Sequence, residues 1–341
     1  MKKILLTTVA LMSLMACNDD ENPELDQNQT ENYSKLPQEF PFTKLTTQNG
    51  VDVINGGFGS GATAHPTRKG EFYVITDRGP NTDYLNGKKF LVPNFTPTIM
   101  HFKLNAEGNI EVIKYIKLKN PSGQPITGLP NPEGKGSTGE IAYDANGAIL
   151  GTDPYGLDSE SIVAAKDGTF WVSDEYGPHI VHYSGDGVEL ERISPIGVNT
   201  GNRKLPAVLA KRRANRGMES LCITPDGKTW VGAMQSMMYV PNKNSATNKT
   251  LIRIVTFDIA TGATKQFLYE QDGGNSDSVC DITAISSTEF LVIERDGNYG
   301  SQGGIKKVYK INLANATDVN GTDLTAVDGL KINNKALEQS T

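Results

Sequence analysis

The sequence predicts an all-β fold, and three observations carry that reading. Helical spacing of apolar residues is almost absent, whereas short apolar runs recur in pairs separated by a tight turn. Four such pairs resemble one another: "ATAHPTRKGEFYVITDRGP" (62–80), "ESIVAAKDGTFWVSDEYGP" (160–178), "ESLCITPDGKTWVGAMQS" (219–236) and "DITAISSTEFLVIERDG" (281–297), with Tyr73, Trp171, Trp230 and Leu291 in matching places. Lys69-Gly70, Asp167-Gly168 and Asp226-Gly227 supply the hairpin turns. Recurrence at spacings of roughly 60 to 100 residues predicts the blades of a β-propeller carrying long insertions. About five blades are visible, and six is the expectation for a complete ring.

The elements follow in order. Met1-Lys2-Lys3 is basic, Ile4 to Met15 is apolar, and "LMAC" ends at Cys17. An apolar run this short is a signal-peptide core rather than a membrane span. The pattern resembles the lipobox of bacterial lipoproteins. Residues 1–16 are thus expected to be removed and Cys17 acylated, which tethers a soluble fold to the membrane through lipid alone. Residues 17–36 are acidic, amide-rich and without periodicity, a disordered tether. Acidic residues directly after Cys17 resemble the surface-export signal of Bacteroidetes lipoproteins, or form a solvated spacer. The expected location is the bacterial outer membrane, on its periplasmic or cell-surface side. The propeller occupies 37–341, with outer strands expected in 98–118, 180–194 and 251–269, and the chain is read as a monomer.

Lys and Arg number 33 against 39 Asp and Glu, a formal charge of −6 that argues against a nucleic-acid partner. Besides Cys17 only Cys222 and Cys280 are present; they are either one disulfide or two buried thiols.

The hairpins place carboxylates together. Folding 160–178 about Asp167-Gly168 brings Glu160 beside Asp174 and Glu175, at about 5 Å for directly opposed side chains. The same operation sets Asp281 near Glu294, while Glu219 opens its hairpin and Asp77 closes another. Like charges so collected need shifted pKa values or a cation. Oxygen ligands, with four histidines in the whole chain, favour Ca²⁺ over Zn²⁺ or copper. The expected metal set is Asp77, Glu160, Asp174, Glu175, Asp281 and Glu294. Arg78, Arg216 and Arg295 recur at the same mouth, either as forks for a phosphate or carboxylate or as internal ion pairs. His65 and His179, read as lying at the same strand ends, are candidate acids, bases or phosphate donors; His101 and His182 are expected to be structural. "AKRRANR" (210–216) reads as a solvated loop. No nucleophile elbow, phosphate loop, His-Glu-x-x-His or dinucleotide fingerprint occurs.

"DRGPN" (77–81), "TGLPNP" (127–132), "DSESIV…DGTFWVSDEYGP" (158–178), "NRGMESLCITPDGKTW" (215–230) and "FLVIERD" (290–296) resemble the phytase-like propeller family, members of which are described as having esterase-like activity of phytase. The resemblance runs from about Gly56 to Asp318. It implies a propeller and hydrolysis of phosphate esters, with Ca²⁺ dependence by analogy with β-propeller phytases. It also implies one more Glu-Gly hairpin after "ERD". The residues from "NLANATDVNG" onward do not carry that hairpin, so either closure is managed differently or the final blade lies outside this sequence.

The leading expectation is therefore a lipid-anchored, metal-dependent phosphoric ester hydrolase acting on a small phosphorylated substrate. Glu175 and Glu219 would position or deprotonate the attacking water. The alternatives are a non-catalytic propeller with structural Ca²⁺ that binds a glycan, a phosphorylated ligand or a protein, and a carboxylic-ester or lactone hydrolase.

Overall fold

The computed structural model describes residues 43–320, apart from 56, 107, 199–200, 241–242, 245–249, 273–277 and 299, together with the strand backbones of 331–332 and 335–336. The expected signal peptide (1–16), the expected lipidation site Cys17 and the expected tether (17–36) lie outside the described residues. Among the described residues no helix is long and apolar enough to cross a membrane.

β1 (Thr43–Gln48) and β2 (Val51–Asn55) form a hairpin. The first blade begins with β3 (Gly61–Ala64) and β4 (Glu71–Ile75). The excursion β5 (Asn81–Tyr84) and β6 (Gly87–Phe90) leaves it, and β7 (Thr98–Leu104) and β8 (Ile110–Lys117) complete it. β9 (Ile141–Tyr143) pairs in parallel with β6, away from the blade. The second blade is the meander β10 (Ser159–Ala164), β11 (Phe170–Asp174), β12 (His179–Tyr183) and β13 (Glu189–Ile193). The third is β14 (Met218–Ile223), β15 (Thr229–Met234), β16 (Leu251–Asp258) and β17 (Thr264–Glu270). β18 (Ser278–Ala284), β19 (Glu289–Arg295) and β20 (Lys306–Asn312) make a fourth, three-stranded sheet, followed by the short pair β21 (Lys331–Ile332) and β22 (Lys335–Ala336). The fold is the all-β propeller type that the paired apolar runs predict. The expected outer strands are β7–β8, β12–β13 and β16–β17.

Each first strand packs on the next, β3 on β10, β10 on β14 and β14 on β18, so these four strands form the inner row. Small residues permit the approach. A Cβ on Gly61 would stand 2.7 Å from the Ser161 Cα, and Ser161 Oγ donates to Leu221 O at 3.0 Å across the next gap. Between blades the second strands meet through Trp171 and Trp230, with ring centroids 4.0 Å apart, and Trp171 also stacks on His182 of its own blade at 3.7 Å. These rings join one apolar core that includes Val231, Ile254, Phe257 and Val292, all buried. Cys222, buried on β14, and Cys280, on β18, do not form a disulfide with each other.

A feature absent from the sequence pattern organises the inner row. In the second, third and fourth blades the first strand carries a β-bulge just inside its start, between Ser159 and Ser161, Met218 and Ser220, and Val279 and Asp281. The residue left without a partner is Glu160, Glu219 and Cys280 in turn. Bulges re-aim a side chain out of the sheet's alternation.

Replacing Gly61 with valine should cost about 2 kcal/mol or more, because backbone rather than a movable side chain blocks the new atoms. Val51→Thr on the exposed β1–β2 hairpin should stay within about 0.5 kcal/mol. Urea melts of both variants test the difference.

Candidate functional site

The turn after β11 begins with Asp174, which is fully buried. Its Oδ1 accepts the amides of Asp158 (3.0 Å) and Tyr176 (3.1 Å), and its Oδ2 accepts that of Gly177 (2.8 Å) and lies 2.9 Å from His179 Nδ1. Burial alone would raise its pKa, but His179 and the Gly177 amide hold it below the usual range. Both oxygens are committed inside the turn, so Asp174 does not share the mouth with Glu175 as expected. It folds the turn that presents Glu175.

Asp158 takes the place expected of Asp174. Its carbonyl accepts the Glu175 amide at 2.9 Å, which locks the start of β10 to the end of β11. One oxygen each from Asp158, Glu160 and Glu175 lies within 4.8 Å of the other two. All three carboxyls titrate upward. Asp158 is pushed to about 6, first by burial and, against the pull of Arg78, by Asp77 and Asp174. Glu160 and Glu175 rise well above their ordinary value, first by burial and then by their acidic neighbours, Asp158 and Glu219 foremost. The direct interaction between the two carboxyls raises Glu175 further and lowers Asp158.

Two further carboxylates surround the trio. Asp77 accepts the Gly79 amide at 2.8 Å, is raised by burial, and is felt by Asp158 and Glu160. Glu219, raised to about 7 chiefly by burial, accepts a 2.6 Å bond from Gln235 Nε2 and also faces Arg295, Asp158 and Arg216. The blade repeat is explicit here. The bulge residue and the residue just past the second strand form the pairs Glu160 with Glu175, Glu219 with Gln235, and Cys280 with Arg295. Burial raises the Cys280 thiol to about 11, with Arg295 beside it.

The remaining expectations are corrected by this register. Asp281 follows the bulge instead of occupying it, so its equivalents are Ser161 and Ser220. Its carboxyl, raised to about 6 by burial, accepts the Ile282 amide at 2.8 Å, and no carboxylate of the trio is among the groups that shift it. Glu294 turns toward the third blade, where its carboxylate accepts the Tyr269 hydroxyl and the Asp272 amide. His65 lies at the opposite end of the first blade, because it follows β3 at the turn whereas Asp77 follows β4. Its Nδ1 accepts the Thr67 and Arg68 amides at 3.2 and 3.1 Å. His179 is fully buried, 2.9 Å from Arg192 Nη1 as well as from Asp174, and burial lowers its pKa.

The arginines separate into two kinds. Arg78, 5% exposed, donates to Glu140 Oε1 (2.9 Å) and Tyr176 OH (3.3 Å) and pairs with Asp158 Oδ2 at 3.4 Å. Of the two uses that the sequence left open for Arg78, the structure shows internal ion pairing. Arg216 donates to Ser278 Oγ at 2.7 Å and is lowered by burial, then by Arg213; it faces Glu175 and Glu219. Arg295 is exposed beside Glu219. The "AKRRANR" segment is not a free loop: Arg212 donates to the carbonyls of Gly136 (2.9 Å) and Ser137 (3.2 Å). Sequence reasoning missed Asp158 and Glu140. The Asp158-x-Glu160 spacing was the available signal for the first, and Glu140, on a long connection, offers none.

Arg78→Ala should lower stability by about 3–5 kcal/mol in urea denaturation, since it strands Asp158 and Glu140 in the interior. Unchanged stability would return Arg78 to the ligand-binding side.

The chain is similar to several known proteins. A secreted protein of uncharacterised function from Arthroderma benhamiae is 27% identical over 74% of this chain and 62% of its own length, so the chain spans less than two thirds of that relative. A crystal structure of a Bacteroides caccae protein of unknown function overlaps 80% of this chain and 71% of its own, at 12% identity and a TM-score of 0.38. The β-propeller domain of Myceliophteria thermophila Cps50 (Swd1) overlaps 80% and 76%, at 14% identity and a TM-score of 0.32. The family model for phytase-like proteins, described as esterase-like activity of phytase, matches residues 54–339, a span that contains every member of the carboxylate cluster and the arginines around it. This chain belongs to the phytase-like family.

Proposed function

We propose that the protein is an exported, lipid-anchored, Ca²⁺-dependent hydrolase of phosphoric esters that acts as a monomer on a small phosphorylated substrate. The observation that carries this reading is the Asp158, Glu160 and Glu175 trio, crowded within 4.8 Å on the inner row of a phytase-like chain. The donor set fits a hard cation: three carboxylates, with no imidazole or thiol among them. Asp158, Glu160 and Glu175 would hold the ion, with Asp77 close by. When bound, it would supply Lewis acidity toward an ester oxygen.

The chain's own residues supply the rest. Glu219, with its pKa about 7, is poised to take a proton from water near neutral pH, and Gln235 fixes its orientation. Arg216 and Arg295, on the Glu219 side, would orient the phosphoryl oxygens and offset developing charge. Arg78 holds Asp158 in place from behind. Cys17 would carry the lipid, and the net negative charge disfavours nucleic acid.

Glu219→Gln should lower kcat for aryl phosphate hydrolysis at least about a hundredfold while leaving Ca²⁺ stabilisation in place. Full activity in that variant would remove Glu219 as the base. Hydrolysis of acyl esters alone would favour the carboxylic-ester reading. Calcium-stabilised protein with no hydrolysis at all would favour a binding propeller.

The pH dependence has a definite sign. Asp158 and Glu219 have folded pKa values of about 6 and 7, above the unfolded range near 4. Between about pH 4 and 7 these two carboxyls therefore hold more protons in the folded chain than in the unfolded one, and their contribution to stability falls as pH rises. This outweighs the opposite contribution of the histidines that burial lowers. In EDTA the melting temperature should be higher at about pH 5 than at about pH 8. Ca²⁺ should raise it most at the higher pH, where it need not displace protons. Differential scanning calorimetry in four conditions checks both statements.

A further inference from the structure

Beside the carboxylate mouth lies an open cleft of about 320 Å³ between the β5–β6 turn, the Thr138–Glu140 segment and the loop before Arg216. Two observations mark it as more than a surface dent. Leu85 and Asn215, which line it from opposite sides, both have left-handed backbone, with φ of 49° and 54°. Asn adopts this conformation at little cost, but in leucine it carries strain of the kind that gathers at ligand-binding sites. Leu85 is a large apolar side chain left 81% exposed at the tip of a turn where Asn or Gly would be unstrained. Asn215 Oδ1 is shut from solvent without a hydrogen-bond partner, a deficit of about 1–3 kcal/mol at the edge of this cleft.

The cleft is joined to the carboxylates on both sides. Glu140 is bonded to Arg78, which reaches Asp158. Asn215 precedes Arg216, and a Cβ on Gly217 would stand 2.1 Å from the Glu175 carbonyl, so the loop lies directly against Glu175. A substrate whose phosphate meets Arg216 and Glu219 would extend its alcohol portion into this space.

The chemistry of the lining selects that portion. No lysine or arginine lines the cleft, while Glu140 lies within it. Asn86 accepts the Tyr143 hydroxyl at 2.8 Å through Oδ1, which leaves its NH₂ to donate. Asn215 lines the cleft, and Leu85 adds an apolar face. Such a surface binds neutral hydroxyls and the C–H faces between them, and presents no lining cation to further phosphates. We infer that the preferred substrate class is a monophosphate ester of a polyol or sugar, with the hydroxylated portion held by Leu85, Asn86, Glu140 and Asn215. This rests on the phosphoric ester reading above.

The experiment compares glycerol 2-phosphate, phytate and p-nitrophenyl phosphate as substrates for the Ca²⁺-loaded wild type, Asn215→Gly and Leu85→Asn. Both substitutions tolerate left-handed backbone, and circular dichroism confirms folding. The wild type should show at least tenfold higher kcat/KM on glycerol 2-phosphate than on phytate. Each variant should raise KM for glycerol 2-phosphate relative to p-nitrophenyl phosphate at least fivefold. A preference for phytate, or variants that leave the ratio unchanged, would overturn the proposal while leaving the hydrolase reading intact. Should no substrate be turned over, the hydrolase reading fails, and calorimetric titration with glycerol 2-phosphate decides the cleft. Weaker binding to both variants than to wild type would sustain it, and equal or undetectable binding would end it.

Discussion

Everything at the mouth depends on one electrostatic constraint: Asp158, Glu160 and Glu175 are held too close, and too far from bulk water, to be ionised together without compensation. The structure meets the constraint in two ways. Arg78, itself buried, neutralises Asp158 from behind and is fixed by Glu140 and Tyr176. Burial and acidic neighbours raise Glu160 and Glu175 well above the carboxylate range, which favours their neutral forms. Protonation and any bound cation would therefore act on the same few atoms.

The backbone enforces that crowding. A strand without a bulge would alternate Glu160 with its neighbours and send it into the packing between blades. The bulge inserts one unpaired residue and turns it out, and the same device in three blades produces Glu160, Glu219 and Cys280. Asp174 acts in parallel. With no solvent exposure and both oxygens occupied by backbone amides and His179, it shapes the turn from which Glu175 projects. The blades therefore differ in chemistry while sharing geometry: a carboxylate pair in the second, a carboxylate and an amide in the third, a thiol and a guanidinium in the fourth. That gradient places negative charge toward the second blade and positive charge toward the fourth, an arrangement suited to a cation and an anion bound side by side.

Strand content, hairpin turns and the pairing of Glu160 with Glu175 were all determined by the sequence, because they follow from local alternation and from turn residues such as Asp167-Gly168 whose conformations are their own. The proximity of Arg78, Arg216 and Arg295 to acidic partners was legible for the same reason. Side-chain direction was left to the tertiary structure. A one-residue bulge depends on pairing with a distant strand, so aligned motifs placed Asp281 where Cys280 stands. His65 resembled a mouth residue in the alignment, yet the fold sets it at the far end, since a hairpin carries the residue before its turn away from the residue after its second strand. Whether Asp174 or Asp158 faces the cluster, whether Arg78 meets a ligand or Glu140, and whether Leu85 and Asn215 share a cleft depend on contacts between segments tens of residues apart, and only the folded chain brings those segments together.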